Sequence, residues 1–469
     1  MTRLPRPNPL LVRPQPARPD SSGAGTSGAG ASGPGQVRPV GTVDDLHASA
    51  TRLTGLGDFG TDEYRDGLAV LLESYARDEQ LTPLGTKMSR VFLRDALVAR
   101  LLSEAAWARH PEHAAVRIDR PVFVTGLPRT GTTALHRLLT ADPAHQGLEL
   151  WLALAPQPRP PRESWPDNPV FAQLQAAYAQ HHVEHPEFMG VHYIAADQVE
   201  ECWQLLRQSM RSISFECLAH LPTYSAWLAG QDWTAAYRRH RRNLQLIGSR
   251  DPGRRWVLKN PSHLFALDEL LDVYPDALVI QTHRAPRVAI ASACSLAAHA
   301  TDGWSRRFTG AVIGASQLEV WARGLDRFMA ARARHDPARF CDVGYDEFTA
   351  DPVGTVESVY AHFGLTFSGA AADAMRAVQG TAAGRDGGPG HRYALADFGL
   401  AGEQVDERFA GYLSEAPVPL TAEGGGCRGL GRPGPLPAQH RVQQVVGPFA
   451  LGPGALHQMT LAAHADPFE

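Results

Sequence analysis

Two short stretches of this sequence carry residue types that could handle an anion. Thr125-Gly126-Leu127-Pro128-Arg129-Thr130-Gly131-Thr132-Thr133 follows the apolar run PVFV and precedes the apolar-periodic ALHRLLTADP. A strand, a glycine-containing turn and a helix start, in that order, present backbone N–H groups and the positive end of a helix dipole to a phosphate-like group. The spacing departs from the nucleotide-triphosphatase pattern GxxxxGK[ST], because Thr132 stands where that pattern has lysine. The cation comes earlier, at Arg129, whose guanidinium can fork two oxygens of a terminal anionic group as an ammonium point charge cannot. The second stretch is WVLKNPSHL, residues 256–264, built around Lys259. Of 45 Lys+Arg, only Lys87 and Lys259 are lysines. That bias suggests a coding preference for arginine wherever a surface cation will do, and it makes Lys259 a residue kept for its chemistry. An ammonium can give up a proton, whereas arginine, with a pKa above ~12, effectively cannot.

These residues need elements to hold them, and the sequence predicts an α/β fold. Between Arg120 and about Tyr412, strand-like runs alternate with helical ones. The strand signals are PVFVTG (121–126), RWVLK (255–259), ALVIQTHR (277–284) and RFCDVGY (339–345). The expected architecture is a P-loop-type parallel sheet flanked by helices, occupying 119–415, with an aromatic, mostly helical insertion at about 160–250. Such an insertion reads as a lid or substrate wall. Residues 41–118 predict a helical preface, with DDLHASATRLTG ending at a glycine stop. Residues 1–40 hold eight prolines and six glycines and read as a disordered tail; 416–469 form a second Gly/Pro-rich tail.

Composition narrows the function. A chain of 469 residues can bury a sizeable core, and a net charge of −4 gives no electrostatic case for nucleic acid. Five scattered cysteines without a CxxC pair indicate neither a disulfide framework nor a thiolate zinc site. No apolar run approaches the ~18–20 residues of a membrane span, and no signal-peptide pattern opens the chain, so the expected location is cytoplasmic. His181, His182 and His185 have spacings open to a metal, but with no fourth ligand in view they read as substrate wall or solvated helix. Trp151, Trp203, Trp227, Trp233 and Tyr193 read as core packing, with an acceptor pocket as the functional alternative.

The loop with Arg129, the LKNPSH block and the strand end His283-Arg284, followed by Pro286 and Ser292, together resemble the sulfotransferases that use 3′-phosphoadenosine 5′-phosphosulfate (PAPS). The likeness is to the large bacterial branch related to the tyrosylprotein enzymes. GLGDFGTDEYRDGLAVLL (55–72), DQVEECWQLL (197–206), YDEFTADPVGTVESVYAHFGL (345–365) and HRYALADFGL (391–400) extend it in order over about 50–415. One departure is Ala285, where the family commonly has an aspartate.

The resemblance implies a sulfuryl transfer from PAPS to a hydroxyl of a small-molecule, lipid or glycan acceptor, with no metal required. It implies that Arg129, Thr130, Gly131, Thr132 and Thr133 hold the 5′-phosphosulfate, that Arg284 and Ser292 share the 3′-phosphate, and that Tyr345 and Arg385 add to the nucleotide site, with His391 and Arg392 as alternatives to Arg385. Lys259 matches the lysine that stabilises or protonates the leaving phosphate. The general base is open between Glu149, twenty residues beyond Arg129, His192 and Glu200. Two other functions share these motifs: an inactive PAPS-binding relative, and an ATP-using kinase, the latter disfavoured by Thr132. Acceptor identity and oligomeric state are not written in these residues.

Overall fold

The computed structural model describes residues 40–184, 194–383, 393–418 and 420. Both expected tails lie almost wholly outside them. The preface contains α1 (Val43–Thr54), α2 (Arg65–Arg77) and α3 (Pro83–Arg109). Thr42 starts α1 through a reciprocal capping box with Asp45, and Gly55 ends it at φ 70°. Thr82 caps α3, with Pro83 in the first turn, where a missing N–H costs nothing.

After the preface come β1 (Val122–Gly126), α4 (Thr132–Thr140), β2 (His145–Gln146) and α5 (Leu150–Leu154). The insertion contributes α6 (Pro169–Glu184), α7 (Trp203–Leu206), α8 (Pro222–Ala229) and α9 (Thr234–Ile247). The chain then forms β3 (Arg255–Lys259), α10 (Leu267–Val273), β4 (Leu278–His283), α11 (Pro286–Ala300), α12 (Gly310–Arg332), β5 (Phe340–Gly344), α13 (Tyr345–Ala350) and α14 (Pro352–Phe363).

The five strands form one parallel sheet in the order β2-β3-β1-β4-β5. β1 and β4 are buried at every position, as expected for strands covered on both faces. Alternation along the strands supplies two cores. Val122, Val124, Val257 and Ile280 pack with α4 and α14 through Leu135, Leu139 and Val359. Phe123, Leu258 and Val279 turn the other way, into a larger cluster shared with the preface, the insertion and α12. The connection leaving β1 leads to β2 on one side of it, whereas that leaving β4 leads to β5 on the other. Their carboxyl ends therefore frame a crevice of the kind that open α/β sheets use for ligands.

The arginine bias proves to be more than surface decoration. Arg100, Arg159, Arg207 and Arg239 are all less than a tenth exposed. Arg100 donates to the carbonyls of Phe59, Thr61 and Gln208 at 2.6, 2.6 and 3.2 Å. Preface and insertion are thus tied together by Arg100 and Arg239, whose guanidinium groups have given up solvent for fixed backbone partners.

Candidate functional site

The loop after β1 is shaped by close approach. At Gly126, φ 140°, a Cβ would lie 2.6 Å from the Thr282 carbonyl, so only glycine lets β1 run this near β4. Arg129 (φ 68°) and Gly131 (φ 86°) are both left-handed, which bends the loop into a concave start for α4. A left-handed arginine is an uncommon, strained conformation. Thr130 holds the bend: its buried hydroxyl donates to the Leu127 carbonyl at 2.7 Å and shares a 2.5 Å hydrogen bond with the Thr282 hydroxyl. The Thr130 side chain is thus committed to the loop itself, which leaves the α4 N-terminus and the residues around it to meet an anion.

One cluster forms where β1, β4 and β5 end. Arg129 Nε donates to Ser292 Oγ on α11 at 3.0 Å, and Arg284 Nη1 donates to the Arg129 carbonyl at 3.0 Å. The Arg284 guanidinium carbon lies 3.8 Å from the centre of the Tyr345 ring, and a Cβ on Gly131 would come within 3.3 Å of that ring. The structure therefore brings together Arg129, Gly131, Arg284, Ser292 and Tyr345. The side chain of Arg129 reaches toward Ser292, the residue expected to bind the 3′-phosphate. Ala285 begins α11 with no side-chain cap, so the family's aspartate has no substitute at that position.

A second cluster surrounds Lys259 at the end of β3. Its side chain is almost fully buried, and Nζ donates to Thr133 Oγ1 at 3.1 Å and pairs with the Glu201 carboxylate. Thr133 is in the first turn of α4, so the ammonium stands at the same helix N-terminus as the loop. The carbonyl of Lys259 accepts the Cys202 N–H at 3.0 Å, which fixes the start of α7 against β3. Behind it, His136 is fully buried and donates from Nε2 to the Val257 carbonyl at 3.1 Å. Burial, reinforced by the Lys259 charge, pushes His136 down to about 3, so it is a neutral neighbour.

Beside this cluster opens a cavity of about 260 Å³, walled mainly by apolar side chains including Phe92, Leu154 and Trp321. Pro128 of the loop and Asn260 after Lys259 belong to its wall, as do Glu200 and Glu201. Burial and the adjacent Glu201 carboxylate raise the Glu200 pKa, and Lys259 opposes them. Glu201 was not singled out from the sequence. Its signal was the doubled acid one residue before the aromatic start of α7.

Glu149, expected as a candidate base, is not among the residues that wall this cavity. It precedes α5, and its Oε2 accepts from Arg159 Nε and Nη2 at 3.1 and 3.0 Å. Arg159 also reaches Gln146, Gly147 and Asp251. The Glu149 carboxylate is held by a buried guanidinium as a structural anchor. His192, Tyr193, Arg385, His391, Arg392 and His185 lie outside the described residues. Among the described residues no group of three or more His, Cys, Asp or Glu side chains converges as metal ligands would. Trp203 lines the cavity, whereas Trp151 and Trp233 are buried in the core.

The profile of the sulfotransferase family matches residues 121–369, more than half of the chain, from β1 past α14. The chain belongs to the sulfotransferase family. A solved relative, sulfotransferase STF1 from Mycobacterium tuberculosis, is 60% identical, covering 80% of this chain and 99% of its own, with a TM-score of 0.75. Sulfotransferase STF9 from Mycobacterium avium is 27% identical over 83% of this chain and 99% of its own, with a TM-score of 0.72. The omega-hydroxy-beta-dihydromenaquinone-9 sulfotransferase Stf3 of Mycobacterium bovis and Mycobacterium tuberculosis is 30% identical over 262 residues, 53% of this chain. The chain spans 63% of the length of those Stf3 relatives. No helix among its described residues is long and apolar enough to cross a membrane.

Proposed function

We propose that this sulfotransferase moves the sulfuryl group of PAPS to a hydroxyl on an apolar, lipid-like acceptor. The observation that carries the reading is the meeting of an anion-binding loop and a buried lysine with an apolar cavity whose wall includes the adjacent carboxylates of Glu200 and Glu201. The chemistry of the residues suits such a donor. Arg129, Arg284 and Lys259 supply three cations, and Ser292, Thr132 and Thr133 supply hydroxyls, around one helix N-terminus. Arg284 and Ser292 would hold the 3′-phosphate, with Tyr345 beneath the Arg284 guanidinium. The backbone N–H groups of 129–133 would hold the 5′-phosphate, and Arg129, near both groups, would span from Ser292 to the sulfonate. The apolar walls favour a lipid acceptor, in keeping with the menaquinone derivative for which the Stf3 relatives are named.

Sulfuryl transfer is in-line displacement, so the residues act by positioning and by meeting developing charge. Glu200 takes the proton of the acceptor hydroxyl as its oxygen forms the new S–O bond. Lys259 stabilises or protonates the phosphate oxygen that keeps the electron pair of the old one. Glu201 positions Lys259 and, by its charge, keeps Glu200 basic.

Calorimetry with 3′,5′-adenosine bisphosphate in chelator tests the donor. Metal-free binding is expected, and binding of Mg²⁺-ATP alone would sink the reading. Glu200→Gln should lower kcat by roughly 10²–10⁴-fold with nucleotide affinity retained. The pH profile gives a further check. A base works deprotonated, so activity rises with pH through a Glu200 pKa above the ordinary glutamate value. Glu201→Gln removes a charge that raises that pKa and leaves the attraction of Lys259, so the acid limb should move to lower pH. A limb that stays in place would remove Glu200 as the titrating base.

A further inference from the structure

The polar side chains of Gln204 and Arg207, in the cavity wall, have no part in the chemistry above. Gln204 and Arg207 are 6% and 3% exposed and lie one helical turn apart, so both face the same way from α7 and the turn that follows it. Gln204 Oε1 and Arg207 Nε are buried without a hydrogen-bond partner. Among the described residues, neither side chain makes any other hydrogen bond or ion pair. The Arg207 guanidinium instead sits over apolar surface, 4.9 Å from the Phe92 ring centre and 5.2 Å from that of Trp203.

The carboxylate whose field reaches Arg207 is Asp95, and its Oδ1 already accepts from Arg94 Nε and Nη2 at 3.0 and 2.7 Å. Burial lowers Arg207 to about 10, which still leaves it charged at neutral pH. Interiors leave few polar groups unpaired, and an unpaired buried cation is among the costliest. Arg207 also stands seven positions beyond Glu200 in the chain, on the other side of α7, and both line the cavity.

We propose that Gln204 and Arg207 form a second polar subsite in the acceptor cavity, which binds a carbonyl or carboxylate oxygen carried by the acceptor away from its reacting hydroxyl. The inference rests on the cavity being the acceptor site, and it is independent of the donor. The guanidinium donates to that oxygen, and the Gln204 amide, which can meet it only as a donor, turns its Nε2 toward it, while the intervening chain lies on the apolar walls. The subsite selects acceptors with two oxygen-bearing ends over simple long-chain alcohols.

Tryptophan fluorescence of the full chain tests this, because Trp203 and Trp321 are in the cavity wall. ω-Hydroxy fatty acids are titrated against 1-alkanols of the same length, with the methyl esters as a third series. The hydroxy acids or their esters should bind about ten- to hundredfold more tightly than the alkanols, as a charge-assisted hydrogen bond allows. Esters that keep the preference identify the carbonyl as sufficient, and esters that lose it identify the carboxylate. Arg207→Met, with its circular dichroism unchanged, should bring the ratio to about one. Equal affinities in the wild type overturn the proposal whether or not the variant folds, as does a preference that survives Arg207→Met. Because binding is read without PAPS, failure of sulfuryl transfer would count against the donor assignment alone.

Discussion

Replacing Lys259 by alanine is expected to lower kcat by roughly 10²–10³-fold, the usual cost of removing one group aimed at charge that develops in the transition state. Affinity for 3′,5′-adenosine bisphosphate should weaken much less, since Arg129, Arg284, Ser292 and Tyr345 form a cluster that does not include the lysine. Lys259→Arg separates charge from proton donation. Arginine keeps the charge and gives up its proton at no accessible pH, so it should restore binding and leave turnover low. Removing the lysine also leaves the Glu201 carboxylate in a poorly solvated place without its partner, a cost that can masquerade as lost catalysis. Lys259→Ala combined with Glu201→Gln removes that cost. A double variant as slow as Lys259→Ala assigns the loss to the lysine, whereas recovery toward wild-type rate would remove Lys259 from the chemistry.

Arg100→Met is expected to be the most damaging substitution for folding. It strips the hydrogen bonds from three carbonyls, those of Phe59, Thr61 and Gln208, and removes the cation 4.1 Å from the Tyr64 ring centre. The loss should be about 3–5 kcal/mol, in the range found when one partner of a buried charged network is deleted. Urea denaturation would show it as a lower midpoint at unchanged slope. A loss below about 1 kcal/mol would mean that these bonds only replace equally good bonds to water. Gln208 follows Arg207 directly, so the surviving folded fraction should show a raised acceptor KM with the nucleotide Kd little altered.

The sequence made the sheet readable because four of its strands are short apolar runs bounded by turn residues. At 255–259 the expected and observed limits coincide. β2, two residues long, is held by pairing to β3 and leaves no pattern of its own. The loop was legible for a local reason, since strand, glycine and helix start are contiguous. The ion pair of Glu149 was not legible, because a spacing of twenty residues from Arg129 says nothing of Arg159, whose guanidinium meets Glu149 and also holds Asp251 from beyond the insertion. The buried arginines escaped notice because composition cannot distinguish a guanidinium in water from one that caps carbonyls. Glu201, Gln204 and Arg207 acquire meaning only when the preface and the region around β3 close a wall around them.

The Arg100 tie and the bond from the Cys202 N–H to the Lys259 carbonyl bear on how new acceptor preferences could be engineered. A graft that exchanged only the insertion would sever contacts on two sides, to α3 and to the strand that carries the lysine. The exchangeable cassette is the insertion together with α1–α3, which keeps the Arg100 tie, joined to a donor half that keeps β1, β3, β4 and α11. The Cys202–Lys259 bond is backbone to backbone and re-forms whatever the side chains. Chimeras cut at those seams should retain nucleotide binding and inherit the acceptor range of the incoming cassette.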